Sequence, residues 1–140
     1  MQGYFIGRIP DDQWRTLFTY YLDEADSFLV HMPDGEGPLS HGREEFRSLP
    51  GISIRPWDGM RDAIEIAGEL SSQSRELFTS IETSIESYEP DKKLWDYRFL
   101  RGGRVVLSIS DFSDLLTWPT DEDHARLAAL GIPADDWQPL

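Results

Sequence analysis

Two adjacent glycines, Gly102 and Gly103, separate the runs Leu94 to Leu100 and Arg104 to Ile109, and this juncture constrains the fold more than any other feature of the chain. A tight hairpin turn needs positive φ at its central residues, and glycine accepts it without steric penalty. The two runs are rich in aromatic and aliphatic residues, so the segment reads as an antiparallel β-hairpin.

Other segments follow the same kind of reading. Gly3 to Ile9 reads as a short edge strand. Asp11 or Asp12 supplies an N-cap for a helix to about Glu24, on which Trp14, Leu17, Phe18, Tyr21 and Leu22 recur at helical spacing. Ser27 to Met32 reads as a buried strand, followed by the loop Pro33 to Gly42, whose glycines and prolines break any regular element. Residues 43–49 form one or two helical turns. Ile52 with Ile54, and Ile64 with Ile66, mark two alternating strands joined through Pro56 to Gly59. A helix opens at Ser72 or Ser74 and extends to about Tyr88 on the spacing of Leu77, Phe78, Ile81 and Ile85, with Pro90 blocking continuation. Leu115, Leu116 and Trp118 suggest one more strand. Thr120 with Asp123 resembles a capping box for a last helix ending near Gly131 and Pro133. Hairpins outnumber crossover units, so the expected fold is α+β: a single domain over residues 1–140 with a mainly antiparallel sheet packed against two or three helices.

Composition narrows the class of function. The 140 residues carry 26 acidic and 13 basic side chains, a formal charge of −13. The halves 1–70 and 71–140 hold 13 acids each against 6 and 7 bases, so they contribute −7 and −6, and the charge belongs to a folded acidic surface rather than a tail. A field of that sign repels nucleic acid and favours basic partners. There is no cysteine, which excludes thiolate catalysis and a cysteine-based zinc site and fits a reducing cytoplasm. Neither a signal peptide nor a membrane-spanning run is expected.

Catalytic chemistry finds little support. His31, His41 and His124 are the three histidines, and no two stand at a spacing that fixes imidazoles around a metal. No nucleophile elbow or phosphate-cradling sequence is present, and Asp111 and Asp114 are explained by turn formation. The expectation is therefore no catalytic residue, no metal and no cofactor.

Acidic clusters point instead to a binding surface. Glu82, Glu86 and Glu89, at i, i+4 and i+7, would line one face of the 72–88 helix without a cation to pair them. Asp135 and Asp136 adjoin Trp137 in an acidic and aromatic patch. Trp57, Trp118 and Trp137 each stand beside acids or prolines, either as interface anchors or, the commoner fate, as rings closing over the core. These features suggest a non-enzymatic, cytoplasmic inhibitor, of the type of bacterial immunity proteins and antitoxins, that covers a basic partner such as a toxin or a nucleic-acid-binding protein. It would contact neither nucleic acid nor membrane directly. One alternative is a small enzyme or ligand-binding domain using the 33–42 loop, and another is a structural homodimer.

Overall fold

The computed structural model describes residues 1–82 and 92–140. Within them lie eight strands and four helices in the order β1 (Tyr4–Ile6), α1 (Asp11–Glu24), β2 (Ser27–Pro33), α2 (Arg43–Arg47), β3 (Ser53–Pro56), β4 (Ala63–Glu69), α3 (Ser72–Ile81), β5 (Asp96–Arg101), β6 (Arg104–Ser110), β7 (Asp114–Thr117), α4 (Asp121–Ala129) and β8 (Gln138–Pro139). The strands form one antiparallel sheet ordered β3-β4-β2-β5-β6-β7-β1-β8. The α+β class and the mainly antiparallel sheet are thus as the sequence implies. No helix among the described residues is long and apolar enough to cross a membrane.

The central hairpin is β5–β6. Its turn places Gly102 at φ 58° and Gly103 at φ 79° between the paired residues Arg101 and Arg104, so both glycines occupy the left-handed region. The Gly102 N–H donates to Asp26 Oδ2 at 2.8 Å, fastening the tip to the corner between α1 and β2. A β-branched residue at a left-handed position costs about 1–2 kcal/mol. Replacing both glycines by valine is therefore expected to lower stability by about 2–4 kcal/mol, read as a lower denaturant midpoint with an unchanged slope.

Alternation along the strands divides the sheet into two faces. One carries Phe28, Val30, Tyr97, Phe99, Leu107 and Ile109, all buried. The helices pack here: Phe18 of α1 on Phe99, Phe46 of α2 on Phe28, Phe78 of α3 on Tyr97, and His124 of α4 on Tyr4. Rings at centroid distances of 4.9 to 5.8 Å link Phe28, Phe46, Phe78, Tyr97 and Phe99. Burying each such side chain contributes about 1.5–3 kcal/mol, so this layer supplies the main driving force for folding.

Helix ends follow local chemistry, with three corrections to the sequence reading. Pro10, not an aspartate, is the N-cap of α1, and Asp11 and Asp12 lie in its first turn, where the helix dipole favours their charge. Ser71 caps α3 through a reciprocal pair with Ser74. That helix ends at Ile81, and Glu82 leaves it with φ −86° and ψ 97°, short of the expected end near Tyr88; residues 83–91 are outside the described part. Thr120 and Asp123 form the expected capping box on α4. The N-terminal strand β1 is not an edge, because β8 covers its outer side.

Candidate protein-binding site on the open sheet face

With all four helices on one side, the opposite face of the sheet has no helix on it among the described residues. Strand register composes that face into rows. One row crosses the sheet as Ser53, Ala67, Leu29, Arg98, Ser108, Leu116, Phe5 and Gln138. Leu29, Ala67, Leu116 and Phe5 are half-buried, making an apolar surface around Arg98. A groove of about 420 Å³ opens beside Leu29, Ser53, Ala67 and Leu100.

The adjacent row is ionic: Arg55, Glu65, His31 and Asp96 stand side by side on β3, β4, β2 and β5. His31 is fully buried, and its two ring nitrogens face two carboxylates: Nδ1 lies 2.8 Å from Asp96 Oδ1 and Nε2 lies 2.9 Å from Glu65 Oε1. Both ring nitrogens are thus engaged by carboxylates, which holds the imidazole in one orientation between β4 and β5. Arg55, on the edge strand, donates from Nε to Glu65 Oε2. Burial pushes the Glu65 carboxyl up, but the hydrogen bonds from His31 and Arg55 outweigh it and leave its pKa below the ordinary glutamate value. The row is therefore tied together by its own hydrogen bonds, and both His31 nitrogens already have partners.

Trp57 closes over this row. Its ring stacks on His31 at 4.0 Å with 10° between planes. Gly59 makes room for it, since a Cβ there would fall 2.2 Å from Trp57 Cζ2. Trp95 stands against Trp57 at 5.9 Å and 71°, and its Nε1–H donates to Asp111 Oδ1 at 3.0 Å. Asp58 and Asp111 beside these rings are exposed, while both tryptophans are half-buried. The three non-glycine residues with positive φ in the described chain, Asp62 at 54°, Asp111 at 49° and Phe112 at 70°, all lie in the two turns that hold this corner. The Phe112 N–H donates to the Trp95 carbonyl at 2.9 Å. Aspartate accepts this region readily, whereas Phe112 holds it at a cost of about 1–3 kcal/mol.

The acidic residues singled out in the sequence are distributed differently. Glu82 is only 6% exposed and lies 3.1 Å from Lys93 Nζ, so it belongs to the interior and not to an outer stripe. Burial pushes its carboxyl up in spite of Lys93 and Tyr97. Glu86 and Glu89 lie outside the described residues. Asp135 and Asp136 are exposed, but Trp137 is 8% exposed and packs between Tyr4 and His124. The terminal acids and the ring thus do not form one patch.

The 33–42 loop frames a separate groove of about 470 Å³ that includes His41 and Arg43, with Arg43 turned to Asp34 at 3.6 Å and Glu44 at 3.2 Å. His31 is not part of it. Among the described residues, no three metal-binding side chains gather around a common point.

The sequence points to Trp57, to His31 as one of three histidines and to Asp111 as a turn residue, but their meeting with Glu65, Asp96 and Trp95 depends on strand register. A visible signal existed, namely titratable residues inside apolar strand patterns: His31 in SFLVHM, Glu65 between Ile64 and Ile66, and Asp96 before Tyr97. Compared with known protein families, with curated proteins and with solved structures, the chain matches none.

Proposed function

We propose that this protein is a non-enzymatic binding module, an inhibitor of the immunity or antitoxin type that works in the cytoplasm by covering a basic partner. The observation that carries the reading is the sheet face on which no helix lies among the described residues, with its hydrogen-bonded row of His31, Glu65 and Asp96 and the Trp57–Trp95 corner at one end. Such a face presents half-buried apolar and aromatic groups, which suit the centre of an interface, while the charge of −13 supplies a rim that attracts a basic protein. The full occupation of the His31 nitrogens favours a structural over an acid–base role.

The test is co-purification from the native host followed by binding kinetics. A stoichiometric basic protein should be retained by the wild type. Trp95→Ala should weaken that complex by at least about tenfold, the loss typical of an anchoring aromatic. Asp135→Lys with Asp136→Lys should slow association and reduce its salt dependence, with dissociation little changed. Retention of the partner by a folded Trp95→Ala protein would move the interface elsewhere.

A further inference from the structure

We propose that the Trp95–Asp111 corner is a receptor for an arginine side chain of the partner, an assignment that rests on the protein-binding reading above. Three features converge there. Trp95 is half-buried and fixed at its Nε1–H by Asp111, so one carboxylate is held at the rim of an indole. Trp57 stands at 71° to it and is itself locked against His31 and Gly59, which makes a rigid wall. The turn that carries Asp111 is held in left-handed backbone at two successive residues, so the corner is formed before any ligand arrives.

The chemistry favours a planar cation. An indole attracts cations through its ring quadrupole, and a guanidinium both stacks flat on it and donates several N–H groups to a neighbouring carboxylate. An ammonium matches the charge but not the flat shape. Asp111 has a second oxygen, Oδ2, besides the Oδ1 that receives Trp95, and exposed Asp58 adds negative potential. A neutral urea analogue of arginine would have the shape without the charge.

The experiment titrates isotopically labelled protein with a short capped peptide containing two arginines, with its lysine counterpart and with its citrulline counterpart. The five indole N–H signals are the readout. With peptide raised to about 10 mM, enough to reveal a millimolar complex, the Trp95 signal should move saturably with arginine. Lysine should bind about three- to tenfold more weakly, and citrulline should leave the signal in place.

Asp111→Asn is the matched variant. Asparagine tolerates the φ of 49°, and its amide oxygen still accepts from Trp95, so the fold and the indole position are retained while the charge is removed. It should weaken arginine binding about three- to tenfold. Equal binding of arginine and lysine, equal movement of all five indoles, or an unaffected Asp111→Asn protein would each overturn the assignment. If the arginine peptide fails while a basic protein is still captured through the sheet face, the arginine receptor falls and the inhibitor reading stands. If no basic protein is captured but the peptide binds selectively at Trp95, the inhibitor reading falls and the receptor stands.

Discussion

Replacing His31 by leucine is expected to destabilise the fold by about 3–5 kcal/mol, the cost of taking from two buried carboxylates the hydrogen-bonding partner they share. Glu65 and Asp96 would then face each other across β2 with an apolar side chain between them. Arg55 relieves only Glu65, and it does so from an exposed edge strand. A second variant separates charge from packing: His31→Leu combined with Glu65→Leu and Asp96→Asn should recover most of the loss, because buried ionic groups replaced together by apolar or neutral ones are often nearly neutral. Denaturant unfolding of both variants measures this directly. If the combined variant is no more stable than His31→Leu alone, Trp57 packing on the imidazole and not its hydrogen bonds to the two carboxylates is what His31 contributes.

Asp123→Ala should cost about 3 kcal/mol, the sum of a lost helix cap and two polar groups left short of a partner. Asp123 is 2% exposed and joins three elements. It accepts from Arg101 at 2.7 and 3.2 Å, from the Tyr20 hydroxyl at 2.5 Å and from the Thr120 N–H at 2.9 Å. Asp123→Asn, which keeps the cap and loses the charge, should cost about half as much. Burial pushes the Asp123 carboxyl up, but Arg101, Tyr20 and Thr120 outweigh it and hold it well below the usual range. The sign of the pH effect follows: a depressed folded pKa gives stability that is fully present above the unfolded aspartate value of about 4 and is lost as pH falls. Glu65, also lowered, acts in the same direction. Glu82, raised by burial, acts the other way, so the test is the difference: as pH falls below about 5 the stability of the wild type should drop more steeply than that of the Asp123→Asn protein.

These two residues show what the sequence does and does not reveal. The cap formed by Thr120 and Asp123 is local, spans one helical turn and is readable from four residues; the Gly102–Gly103 turn is local in the same way. The additional partners of Asp123, Tyr20 and Arg101, come from distant elements that only packing brings together. The ionic row is further from view, since His31, Glu65 and Asp96 become neighbours through the register of three strands. The apolar spacing that continues past Ile81 implies a longer helix, whereas Glu82 has extended backbone and is buried beside Lys93. β8 is two residues long and contains Pro139, so no periodicity announces it.

The position of β1 between β7 and β8 sets the order in which the molecule can be assembled. Tyr4 pairs with Thr117 and with Pro139, and the Leu140 N–H donates to the Gly3 carbonyl at 3.0 Å. The β5–β6 hairpin forms from neighbouring residues, whereas this end of the sheet closes only when segments from opposite ends of the sequence meet. Pairing over such separations carries more loop-closure entropy than the hairpin does, so it is expected to form after it. Until β1 is in place, the outer side of β7 is an unpaired strand edge of the kind that pairs with other chains.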